Sequence, residues 1–152
     1  KHVLMKLVSY RVFVDTDCEE LIESIKSDTD LAHVTPFLRK NHLIGHQVSV
    51  CELIHNFLKQ FNIKNEIICQ MHVTSPFITE ETIKKALEVI KGENFDSVVS
   101  CNVYQNRLWR KESYGYCPIN HNPMVLEQTQ DLPVYYEENS LFYLFKSENF
   151  AY

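Results

Sequence analysis

At 152 residues and a formal charge of −5, the chain has the length of one compact domain and too little positive charge for a nucleic-acid backbone to be its partner. Apolar residues make up 45% and charged residues 23%, and no apolar run nears the roughly 20 residues that cross a bilayer, which excludes a membrane-spanning helix. The five cysteines stand singly with no Cys-x-x-Cys pair, so a zinc site or dithiol motif has no basis, and reduced thiols in a soluble cytoplasmic protein are expected.

Lys1–Ser9 has too short an apolar stretch for a secretory signal and reads as the closing turns of a helix that begins upstream. Val12-Phe13-Val14 is a β-favouring run ended by Asp15-Thr16-Asp17, and Leu21, Ile22 and Ile25 follow at helical spacing. Residues 34–45 are polar and irregular and predict no element. Val50, Leu53, Ile54, Phe57, Leu58 and Phe61 form the apolar stripe of an amphipathic helix over Val48–Phe61. Glu66–Val73 is nearly continuous in apolar residues, the pattern of a strand covered on both faces. Thr74-Ser75-Pro76 breaks it. Thr79 then caps a helix with Glu80 and Glu81 in its first turn, Ile83, Ala86, Leu87 and Ile90 inward, and Lys91-Gly92 at its close.

Ser97–Val103 reads as another strand, residues 106–123 as a polar, aromatic hairpin excursion, and Leu141–Phe145 as a last buried strand. Strands alternating with helices predict a doubly wound, mainly parallel sheet whose ligands bind beyond the carboxyl ends of its strands. That rule selects Asp15-Thr16-Asp17, Thr74-Ser75-Pro76, and Asn102 with Gln105. Turns use the same residue types, so a purely structural role is the stronger expectation for each cluster taken alone. Asp15 and Asp17 together offer two oxygen ligands to a divalent cation, fewer than such a site needs.

His42 and His46 have the i, i+4 spacing of a helical ligand pair, but Gly45 lies between them and no acid follows His42. His72 ends a strand at the ligand edge, as a binding group or as a satisfied core imidazole. With three glycines in the chain, neither a phosphate loop nor a dinucleotide fingerprint can be written, and no Gly-x-Ser-x-Gly elbow exists.

Four stretches in order carry a resemblance: Val12-Phe-Val-Asp-Thr-Asp, Gln70-Met-His-Val-Thr-Ser-Pro-Phe-Ile, Phe95-Asp-Ser-Val-Val-Ser, and Gln128-Thr-Gln-Asp-Leu-Pro with Glu138-Asn-Ser-Leu-Phe-Tyr downstream. Over nearly its whole length the chain resembles the acylneuraminate cytidylyltransferases, the CMP-sialic acid synthetases and their relatives. The resemblance implies a three-layer α/β/α Rossmann-like nucleotidyltransferase fold with a mainly parallel sheet and a β-hairpin dimerisation excursion. It implies one domain over 1–152, with 106–123 as the arm and Trp109, Tyr114 and Tyr116 as anchors for a second subunit.

The implied reaction joins CTP to a keto-acid sugar, releasing pyrophosphate with Mg²⁺. Carried over by position, Arg39, Ser49, Thr74 and Ser75 match nucleotide contacts. His72, Pro76, Gln128, Gln130, Asp131 and Asn139 match the sugar side; no residue is assigned as catalytic. The family's first strand, its basic glycine-containing phosphate loop and the Asp-x-Asp segment that binds Mg²⁺ lie outside these residues, so the isolated chain is expected to be weakly active or inactive. Gln128 stands where many relatives carry arginine, and His72 where many carry glutamine. A neutral amide does not replace a guanidinium fork, which leaves room for a different sugar or for a non-catalytic binding module.

Overall fold

A computed structural model describes residues 4–92 and 95–151 of the chain. Strand β1, Val12–Thr16, is followed by helix α1, Glu19–Ser27, and by β2, Val34–Leu38, which runs parallel to β1 with Val12 opposite Val34 and Thr16 opposite Leu38. Helix α2, Val50–Gln60, leads to β3, Ile67–Met71, and helix α3, Glu80–Gly92, leads to β4, Ser97–Tyr104. A hairpin of β5, Trp109–Glu112, and β6, Gly115–Pro118, precedes the long β7, Tyr135–Lys146.

The architecture is mixed α/β, but the sheet is not mainly parallel. Strand β7 lies between β3 and β4 and is antiparallel to both, with Leu144 opposite Cys69 on one side and Val98 on the other. Among the described strands only β1 and β2 pair in parallel. The connections explain this. Helices α1 and α3 carry the chain back across the sheet, so β1 and β2, and likewise β3 and β4, point the same way. Residues 105–134 contain no α-helix, only the hairpin and a short 3-10 turn, so the chain turns round and enters between β3 and β4 in the opposite sense.

Strand β2 falls in the stretch 34–45 that reads as irregular. Pro36, opposite Val14, removes a ladder donor and disguises the strand, and it is tolerated because β2 is paired only with β1 among the described strands. At the chain's start, Lys1–Val3 lie outside the described residues, and Leu4–Lys6 form a 3-10 turn rather than the end of an α-helix. Strand β3 is half-buried along its length rather than fully covered.

One core holds the strand pair and the three-stranded sheet together. Val12 and Val34 from β1 and β2, Ile25 from α1, Ile83, Ala86 and Ile90 from α3, and Phe142 and Leu144 from β7 form a single buried cluster. The opposite face of β1 and β2 presents Phe13 and Phe37 to Phe57 and Phe61, whose ring centroids lie 4.7–6.1 Å apart. Helix α2 thus packs the later part of its stripe, half-buried, into an aromatic layer. Its start is a capping box: Glu52 N donates to Ser49 Oγ at 3.2 Å and Ser49 N donates to Glu52 Oε2 at 2.7 Å, a device that contributes about 1 kcal/mol. Thr79 caps α3 by accepting from Thr82 N at 3.2 Å.

Burial on β3 pushes the Cys69 thiol up to about 12. A folded value above the unfolded one means that this thiol adds stability below its ordinary titration near about 8.5, and that the contribution is lost as pH rises toward 12. Iodoacetamide at pH 8 should therefore alkylate the exposed Cys18 and Cys51 and spare Cys69 until denaturant is added. Peptide mass mapping reads the outcome, and equal native labelling of Cys69 would contradict its burial.

Candidate functional site

The carboxyl ends of β1 and β2 meet at an ion pair. Arg39 N extends the ladder by donating to Thr16 O at 2.7 Å, which sets the side chain beside β1. There Arg39 Nε donates to Asp15 Oδ1 at 3.0 Å and Nη2 to the Asp15 carbonyl at 3.4 Å. Both side chains are about three-quarters buried, at 24% and 25% exposure. Five guanidinium N–H groups exist and two are used, so an anchored cation is left with donors to offer an anion at the strand edge.

The same pair bears on Asp15 and Asp17 as oxygen ligands. Asp15 is committed to Arg39, Asp17 is exposed, and among the described residues no group of three or more His, Cys, Asp or Glu is placed to hold a metal ion. Thr16 serves its turn, accepting from Cys18 N at 3.1 Å. His42 and His46 form no helical pair: His42 sits in a 3-10 turn, Asn41–Leu43, and Gly45 at φ 122 carries the chain out of helical geometry before His46. Ser49 is the cap of α2, its hydroxyl engaged as described.

At the end of β3 the chain makes a tight turn, with Ser75 N donating to His72 O at 3.2 Å and buried Ile78 anchoring its far side. His72 places its ring edge-on to Tyr143 of β7, centroids 6.3 Å apart. Thr74, Ser75, Pro76, Phe77, Thr82 and Leu141 line a depression of about 460 Å³. Hydroxyls and apolar surface alternate around it, and Val73 and Phe77 stand almost wholly in solvent, at 96% and 92% exposure. Tyr143 also donates to Glu138 and shares a 3.0 Å hydrogen bond with Ser140; the Glu138 contact pushes its phenol up.

Asn139 lies two residues before Leu141, which lines that depression, inside an irregular stretch of sheet. Val99 pairs with Tyr143 and Cys101 with Glu138, so Ser100 alone on β4 faces Asn139–Phe142 on β7. Ser140 takes φ 54 within the bulge. The backbone donors displaced from the ladder find a side chain instead: Leu141 N and Phe142 N both donate to Ser100 Oγ at 3.1 Å. Asn139 Nδ2 donates to Asn102 Oδ1 at 2.9 Å, and Asn102 in turn donates to Glu137 at 3.3 Å.

Gln128, Gln130 and Asp131 gather in a 3-10 turn, Thr129–Asp131. Gln105, just beyond β4, donates from Nε2 to Gln130 O at 2.9 Å and Leu132 O at 3.0 Å, while Leu132 is buried. Gln130 Nε2 donates to Gln128 Oε1. Four groups thus emerge: Arg39 with Asp15; the turn 72–76, tied to β7 by His72 against Tyr143; Asn139 with Ser100 and Asn102; and Gln128–Asp131 tied to Gln105. Arg11 Nη1 bonds Glu66 Oε1 at 2.8 Å, tying the amino end of β1 to that of β3 at the opposite ends of those strands. Ser100, Tyr143 and Phe77 escape sequence reasoning. Ser100 and Tyr143 lie inside apolar strand runs that look like plain core, and an exposed Phe77 cannot be told from a buried one by composition.

The cytidylyltransferase family model matches the chain over residues 1–152. Among curated proteins, N-acylneuraminate cytidylyltransferase A of Danio rerio is 29% identical over 141 residues, covering 90% of this chain and 32% of that protein. The chain therefore spans about a third of the length of this relative. With the family match extending from end to end, the chain belongs to the cytidylyltransferase family.

Proposed function

We propose that the protein carrying this chain joins CTP to an acylneuraminate-like keto-acid sugar, giving a CMP-sugar and pyrophosphate. Family membership over the whole chain is the observation that carries it, and the polar groups at the strand ends supply a matching surface. The anomeric hydroxyl of the sugar attacks the α-phosphorus. The new P–O bond forms as the bond to pyrophosphate breaks, and the hydroxyl proton is lost to base or solvent. In this assignment Arg39, Ser49, Thr74 and Ser75 face the nucleotide, and His72, Pro76, Gln128, Gln130, Asp131 and Asn139 face the sugar. Arg39 holds a guanidinium near the triphosphate, and the turn and Asn139 orient the sugar, so these groups act by positioning.

Mg²⁺ is expected of the full-length enzyme, where it would neutralise phosphate charge. Among the described residues no group of three or more His, Cys, Asp or Glu is placed to hold it. The whole fold is proposed as a three-layer α/β/α domain acting in the cytoplasm, with residues 106–123 as the arm of a homodimer. Exposure of Trp109 at 49%, Tyr114 at 80% and Tyr116 at 68% supports that arm, because aromatic side chains on a hairpin are what subunit interfaces enrich.

Calorimetric titration of the full-length protein with CTP and Mg²⁺, with ATP as control, tests the proposal. CTP-selective binding followed by pyrophosphate release when N-acetylneuraminate is added is the expected result. Binding without turnover favours a non-catalytic module, to which Gln128 in place of an arginine already points, and binding to neither nucleotide refutes the assignment.

A further inference from the structure

We propose that Ser100 is a positioning residue whose hydroxyl fixes Asn139 for contact with the keto-acid sugar, an inference that rests on the proposed function. Ser100 Oγ is 2.7 Å from Asn139 Oδ1 and 3.3 Å from Phe142 O, and it accepts from Leu141 N and Phe142 N. A serine hydroxyl has one hydrogen and two lone pairs. Both lone pairs go to the two backbone donors, and the single hydrogen goes to the nearer oxygen, that of Asn139. The group is buried and fully used.

The amide of Asn139 is fixed in consequence. Leu141 N also donates to its Oδ1 at 3.2 Å, so the oxygen and not the nitrogen must face Ser100; reversing the amide would set NH₂ against N–H. The nitrogen then points outward, with one hydrogen on Asn102 and the second available to a ligand. Asn139 is itself exposed, so without Ser100 its side chain would sample several rotamers. The bulge of β7 and the left-handed Ser140 lift this amide out of the ladder, and Ser100 from the neighbouring strand sets its direction.

The test uses the full-length protein with CTP and N-acetylneuraminate as probes. In Ser100→Ala the KM for the sugar should rise about tenfold while the KM for CTP stays within about twofold, the signature of one lost orienting hydrogen bond. Ser100→Thr, which keeps the hydroxyl, should restore the wild-type value. Asn139→Ala should raise the same constant, and the double variant should be no worse than Asn139→Ala alone, because Ser100 acts through that amide. Ser100→Cys, close in size with a weak acceptor, replaces the alanine variant if the latter does not fold. Additive effects, or an unchanged sugar KM in a folded Ser100 variant, would overturn the proposal. A wild-type protein that forms no CMP-sugar refutes the cytidylyltransferase activity and the sugar contact with it. Amide exchange at Leu141 and Phe142 then still decides whether Ser100 holds the bulge, since faster exchange in the variant is required.

Discussion

Leu144→Ala should lower the stability of the fold by about 3 to 4 kcal/mol, the largest loss expected from any single truncation here. The side chain has 0% exposure and sits on β7 between Cys69 of β3 and Val98 of β4, in the cluster that α3 covers with Ile83, Ala86 and Ile90. Removing it leaves a void flanked by two strands and a helix that cannot all close in, so the cavity cost adds to the lost transfer energy. Domains of this size hold about 5 to 15 kcal/mol in all, so a large share of the native margin goes with one residue. Urea unfolding followed by circular dichroism measures the shift, and a loss under about 1 kcal/mol would show that β7 is not the central strand.

The second large effect concerns activity. Arg39→Ala should reduce kcat/KM for CTP by about 100-fold in the full-length protein, the size expected when a charge-assisted contact to a phosphate is lost. Asp15 anchors that guanidinium through Oδ1 at 3.0 Å, so Asp15→Asn should cost less, about tenfold, by loosening a cation that is still present. Arg39→Lys should not rescue, because an ammonium cannot hold Asp15 with Nε while directing a second arm outward. Pyrophosphate release against CTP concentration gives all three numbers. An Arg39→Ala protein with unaltered CTP kinetics would remove this edge from the nucleotide site.

Much of the fold was legible because local chemistry and tertiary placement agree. The stripe from Val50 to Phe61 forms α2, Ser49 and Thr79 act as caps, and Glu80 and Glu81 open α3. The hairpin within 106–123 closes on Gly115, whose φ of 141 marks a turn that other residues resist. Two features escaped because they are decided by neighbours rather than by local pattern. Strand β2 is short and interrupted by Pro36, and only its pairing with β1 reveals it. The sense of β7 is set by the route of residues 105–134, and apolar runs read alike in either direction.

The candidate site divides in the same way. Arg39, Thr74, Gln130 and Asn139 could be named by position within motifs, but the pairings around them could not. Asp15, Ser100 and Gln105 meet Arg39, Asn139 and Gln130 across 24, 39 and 25 residues of sequence, and Tyr143 meets His72, only once the sheet is assembled. A serine inside Ser97–Tyr104 looks like any inward-facing small residue until the bulge opposite it is seen.

The central position of β7 also governs how the chain reaches its native state. Strands β3 and β4 leave the ribosome well before Tyr135–Lys146, and each depends on β7 for its ladder within this sheet. Until β7 is synthesised, the edges of β3 and β4 that it pairs remain open to solvent and to other nascent chains. Sheet closure must wait for a long-range encounter, such as Ile67 meeting Lys146, whose loop entropy slows it. Synthesis of this protein therefore has a vulnerable interval, during which chaperones that mask strand edges would do most to raise the yield of folded molecules.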